Sequence, residues 1–135
     1  MIDEDGSILE AKLFMRNYQT LDAWKVSMQL VENIFLLTKT FPKEELYGLT
    51  SQTKRAAVSI PSNIAEGMGR QYNKDTLQFL HISRESVYEL ETLLNIAVMT
   101  EIINEEAFLK VTLQIDDTIK ILNGLIGYME KSDLK

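Results

Sequence analysis

The chain has no cysteine, only two prolines and six glycines, and a single histidine and a single tryptophan among its 135 residues. Without cysteine there is no disulfide framework and no thiol chemistry, which fits a reducing compartment. Scarce proline and glycine, together with 45% hydrophobic residues, exclude a disordered or linker-like chain. No apolar run approaches the roughly 20 residues that a membrane span needs. The acidic start, Met1-Ile-Asp-Glu-Asp5, lacks the basic-then-apolar order of a signal peptide. The expectation is a cytoplasmic protein with no membrane contact. Strand signals are also missing, because no alternating apolar run is bounded by turn residues.

What is present is one domain's worth of chain, long enough to build a core without staples. The net charge of −6 argues against a broadly phosphate-binding surface, but the acidity is uneven. Residues 1–20 hold four acids against two bases and residues 101–135 hold seven against four, whereas 21–69 balance at five each. A local basic patch is compatible with this distribution and a dominant one is not.

Apolar periodicity predicts four helices. The first spans about Asp22 to Lys39, with a stripe of Trp24, Met28, Val31 and Phe35. Phe41-Pro42 ends it, since a residue before proline is pushed out of helical conformation. Pro42 then suits the first turn of a second helix, with Glu44 and Glu45 at its positive end, running to about Glu66 and stopped by Gly67-Met-Gly69. A third opens near Asn73 and carries Phe79, Ile82, Ser86, Leu90, Leu93 and Ala97. Asn104 caps a fourth, with Phe108, Ile115, Ile119, Leu122, Ile126 and Met129 as its stripe.

The second helix has two anomalies. Pro61 sits at its middle, where it removes one hydrogen bond and crowds the carbonyl of Ala57, at a cost of about 3 kcal/mol. A break at that point is one reading, and Asn63 and Glu66 have capping-box spacing. However, Ile60 and Ile64 keep the apolar phase across the proline, which favours one helix with a proline kink. The other anomaly is a polar row: Gln52, Arg55, Ser59, Asn63 and Glu66 fall within about 80° of one another beside the apolar face. Such a row predicts a hydrogen-bonded contact within the fold or across a subunit boundary.

Short connections predict an all-α fold, an antiparallel up-down-up-down four-helix bundle over residues 21–130, with an N-terminal extension over 1–20 and a C-terminal tail over 131–135. Several helices carry further apolar positions: Val26, Leu30, Ile34 and Leu37 on the first, Leu77, Tyr88 and Met99 on the third, Leu109, Leu113, Ile121 and Leu125 on the fourth. One core absorbs one broad stripe per helix, so the surplus predicts a homo-oligomer.

The string Phe41-Pro-Lys-Glu-Glu-Leu-Tyr-Gly-Leu-Thr-Ser-Gln52, continued by Arg55-Ala-Ala-Val-Ser-Ile-Pro-Ser-Asn-Ile-Ala-Glu-Gly67, resembles the signature of a bacterial family. These are the four-helix bundle proteins encoded in intervening sequences of 23S ribosomal RNA genes. Leu21-Asp-Ala-Trp24 is similar to the family's opening, and Phe79-Leu-His-Ile-Ser-Arg-Glu-Ser-Val-Tyr-Glu-Leu-Glu91 to its third helix, with Glu85 standing where the family favours a small residue. The fold is shared with the accessory variability proteins of diversity-generating retroelements. The resemblance implies a ring-shaped homo-oligomer, a pentamer, with no catalytic activity and no cofactor.

Other chemistry finds no support. His81 has Gln78 three residues before it, so the Glu-x-x-His pairs of a di-iron bundle are absent and no metal site is expected; His81 and Glu85 read as a helix-surface pair. Gly67-Met-Gly69 lacks the Gly-Lys-Ser/Thr of a phosphate loop, and Ser59 and Ser62 have no adjacent histidine. Two functions remain: a scaffold or accessory oligomer for a protein partner of unknown identity, and an accessory protein binding RNA or DNA backbone. For the second, antiparallel topology gathers Lys25, Arg70 and Lys74 at one pole, with Tyr72 the clear aromatic platform there. Glu44, Glu45, Glu101, Glu105 and Glu106 gather at the other pole, offset by Lys39 and Lys43. A plainer reading of both poles is solvated helix-end charge.

Overall fold

A computed structural model describes residues 17–133. Four helices make up the fold: α1 (Asp22–Thr38), α2 (Leu49–Met68), α3 (Asn73–Met99) and α4 (Glu105–Asp133). Short 3-10 turns at Asn17–Thr20 and Lys43–Glu45 precede α1 and α2, and the described residues contain no strand. The expected N-terminal extension lies mostly outside the described residues. Each helix packs on its sequence neighbours, and α4 closes back onto α1, which gives a four-helix all-α bundle. Between α2 and α3 the pairing is antiparallel: Ser59 meets Ser86, Ile60 meets Ser83 and Gly67 meets Thr76. The core runs along the bundle axis through Leu30 and Ile34, Ile60 and Ile64, Leu80, Leu90 and Leu94, and Ile115 and Leu122, all essentially inaccessible.

The face that α1 buries differs from the expected stripe. Ala23, Ser27, Leu30, Ile34 and Thr38 point inward, while Met28 and Phe35 are exposed and Trp24 and Val31 are half-buried. Small residues let α1 lie close to its neighbours, and the two hydroxyls satisfy themselves on their own helix, Ser27 Oγ donating to Trp24 O (2.8 Å) and Thr38 Oγ1 to Phe35 O (3.2 Å). Apolar bulk alone therefore selected the wrong side. The predicted stripes of α3 and α4 fare better: Ser86, Leu90, Leu93, Ala97, Ile115, Leu122, Ile126 and Met129 are all buried, although Ile82 is exposed.

The start of α2 also differs. Pro42 begins only the 3-10 turn, and α2 begins at Leu49 after Gly48, whose φ of −114° and ψ of −106° cannot continue a helix. From there α2 runs without interruption through Pro61 to Met68. Its end depends on a glycine for space more than for conformation: a Cβ at Gly67 would lie 2.8 Å from Phe79 Cβ and 3.1 Å from Thr76 O. At the other turn, Asn104 caps α4 as expected, its Oδ1 accepting the Ala107 N–H at 2.8 Å. The preceding turn is a Schellman closure with a non-glycine residue in left-handed conformation, Glu101 at φ 63°. Glu101 N donates to Val98 O, and Ile102 N to Ala97 O.

Candidate functional site

The polar row of α2 divides at the seam with α3. Ser59 and Asn63 are half-buried there, and Ser59 Oγ lies 2.8 Å from Ser86 Oγ across the seam. Ser86 Oγ also donates to Ile82 O (3.0 Å), while Asn63 Nδ2 donates to both Ser59 O (2.8 Å) and Ser59 Oγ (2.9 Å). Gln52, Arg55 and Glu66 are exposed on the single chain, and none of the three has a side-chain hydrogen bond or ion pair within the described residues. The row thus has an inner pair tied to α3 and an outer set of three that presents donors and acceptors to whatever lies beside the bundle.

Two further seam contacts were not anticipated. Ser83 Oγ donates to Ile60 O (2.9 Å), and Thr76 Oγ1 donates to Gly67 O (2.7 Å), both buried. The signal that could have found them is their heptad spacing: Thr76 and Ser83, seven apart, are small polar residues on the buried face of α3. Each such bond contributes about 0.5–1.5 kcal/mol net. By contrast Thr53 Oγ1, on α2, is fully buried with no partner.

The basic pole proves mixed in charge. Lys25, Arg70 and Lys74 are exposed, but so are acids within four residues of them in sequence, Asp22, Glu66 and Asp75. The Arg70 guanidinium lies over the Phe79 ring, 4.5 Å from its centroid, so its flat face is engaged within the fold. Tyr72 stands free at 64% exposure. His81 makes no hydrogen bond with Glu85, and its Nε2 is buried without a partner. No group of three or more potential metal ligands occurs among the described residues, and no described helix is long and apolar enough to cross a membrane.

A groove of about 480 Å³ opens between α1 and α4, walled by Leu36, Leu37, Ala107 and Val111 and edged by Asn33, Lys110 and Gln114. Leu36 is 55% exposed beside it, and Leu109 (61%), Leu113 (67%) and Tyr128 (67%) stand on the outward side of α4. A second groove, about 340 Å³, lies between α1 and α2 and holds the displaced stripe of α1: Trp24, Met28 and Val31 against Val58, Pro61 and Ala65.

The family model described as 23S rRNA-intervening sequence protein matches residues 19–124. No curated protein matches the chain. Among solved structures, one similar chain is a protein of unknown function from the S23 ribosomal protein family of Bacteroides thetaiotaomicron. The two superpose with a TM-score of 0.72 at 24% identity, over 77% of this chain and 97% of that one, a likeness that establishes the fold.

Proposed function

The chain belongs to the 23S rRNA-intervening sequence protein family, and from that premise we propose that it acts without catalysis, as a homo-oligomeric scaffold or accessory protein for a protein partner. The observation that carries this reading is the apolar surface left over when one bundle has filled its core. Leu36, Leu109, Leu113 and Tyr128 are each more than half exposed on the α1 and α4 sides. Leu109 and Leu113 lie one turn apart on α4, and exposed apolar side chains so placed suit an interaction surface. Subunit number follows from the resemblance of the sequence, which implies a pentameric ring. In such a ring the outer members of the polar row, Gln52, Arg55 and Glu66, meet a neighbouring subunit, so the row is completed by assembly. Light scattering on Leu109→Lys combined with Leu113→Lys tests the reading: the natural chain runs as an oligomer at micromolar concentration and the variant as a smaller species. An oligomer unchanged by both charges would remove α4 from the interface.

A further inference from the structure

The α1–α2 connection frames an open hollow of about 260 Å³ whose lining includes Lys39, Lys43 and Lys54 together with Thr38, Thr50 and Phe41. Three lysines thus line one hollow in a chain of net charge −6. The hollow also meets the first turn of α2, a helix of 20 residues with no acid in that turn and no side-chain cap. Gln52 N donates to Gly48 O at 3.0 Å as the first bond of the helix. The amides of Leu49, Thr50 and Ser51 therefore remain without a partner among the described residues. Unpaired amides at the positive end of a helix favour an anion.

An independent observation points the same way. Thr50 is only 6% exposed, lines the hollow, and its hydroxyl has no hydrogen-bond partner. A threonine in a helix ordinarily returns its hydroxyl to a carbonyl one turn back, as Thr92, Thr100 and Thr118 do here. Thr50 has no helical turn behind it, and its hydroxyl is left unpaired at the wall of the hollow, on a side chain that is otherwise buried.

We propose that this hollow is a binding site for a phosphate dianion, either free or as the phosphoryl group of a small phosphomonoester. Thr50 Oγ1 and the first-turn amides of α2 supply directed donors, and Lys39, Lys43 and Lys54 supply charge. A water takes about 30 Å³ of liquid volume, so a hollow of this size holds a phosphoryl group with room to spare. The remaining wall, Phe41 and Leu46, is apolar and suits a short organic substituent. The Lys54 ammonium lies over the Phe35 ring, 4.7 Å from the centroid, so Lys39 and Lys43 are the freer of the three charges. Glu45 opposes the anion: its Oε1 lies beside Gly48, 3.6 Å from where a Cβ there would sit. It is the residue whose neutralisation should strengthen binding.

The test is a titration of the full chain with inorganic phosphate, followed by the amide resonances of Thr50 and Ser51 at constant ionic strength held with chloride. A parallel arm uses glycerol phosphate. Saturable shifts at those amides are expected with both, and tighter binding of the ester would show that the apolar wall is used. Thr50→Val should weaken binding about tenfold, the value of one hydrogen bond to a charged group, while Thr50→Ser retains it. Lys39→Gln with Lys43→Gln should weaken it at least as much, and Glu45→Gln should strengthen it. Arg70→Gln, at the other end of α2, should change nothing. Absence of a saturable shift in tens of millimolar phosphate, or equal affinity in the natural chain and Thr50→Val, would overturn the site.

Discussion

The α2–α3 seam and the α1–α4 seam are built on opposite plans. Side-chain hydrogen bonds cross the first at Ser59–Ser86, Ser83–Ile60 and Thr76–Gly67, and at Gly67 the helices come too close to admit a Cβ. No hydrogen bond joins α1 to α4 among the described residues, and a groove of about 480 Å³ opens between them beside exposed leucines. One seam has its polar groups satisfied inside the chain and its backbones in contact. The other leaves apolar surface that a single chain does not cover. The bundle is closed where it needs no partner and open where burial remains to be gained, and that contrast locates the proposed assembly surface.

The largest expected effect comes from forcing the closed seam apart. Gly67→Ala places a methyl 2.8 Å from Phe79 Cβ, and overpacking of this kind destabilises by about 1–3 kcal/mol, outweighing the better helix propensity of alanine. Urea unfolding would show it as a lower midpoint with an unchanged slope. The opposite sign is expected at Thr53, whose hydroxyl is buried without a partner. Thr53→Val keeps the shape and should raise stability by about 1 kcal/mol, read from the same unfolding curves. Ser83→Ala removes the bond to Ile60 O and should cost about 1 kcal/mol, a thermal shift of a few degrees. Smallest is Arg55→Ala. Arg55 is exposed on the single chain, so unfolding of dilute, dissociated protein should change by no more than about 0.5 kcal/mol. The same variant should weaken the oligomer, because in the proposed ring the outer polar row meets its neighbour. An Arg55→Ala protein that assembles as tightly as the natural chain would separate the row from the interface.

Much of the architecture was legible in the sequence. Four helices follow from apolar periodicity, the Asn104 cap from its place before Glu105 and Glu106, and continuity through Pro61 from the alignment of Ile60 with Ile64. The buried face of α1 was not legible, because its core residues include alanine, serine and threonine while its bulkier Met28 and Phe35 lie outward and Trp24 is only half-buried. Periodicity weighs size and apolarity, whereas the fold weighs how closely α1 approaches its neighbours. The start of α2 misled for a related reason: Glu44 and Glu45 resemble a first turn, yet the backbone at Gly48 resets the helix. The polar row was visible as a row, but its division was not. It sits at the edge of the buried face, and Ser59 turns inward because Ser86 meets it from another helix, a pairing with no trace in α2 itself. The lysine-lined hollow was hidden by counting charge at whole poles. Lys39 and Lys43 read as an offset to the acids there, while folding gathers them with Lys54 and Thr50 at one turn and leaves Glu101 and Glu105 beside a separate hollow at the α3–α4 turn.

The central claim is that the open seam and the outward side of α4 are covered by further copies of the chain. Multi-angle light scattering on the full chain at micromolar concentration addresses it most directly. The account predicts a single species several times the 15.5 kDa chain mass, five-fold if the ring implied by the resemblance forms. A monodisperse monomer would contradict it.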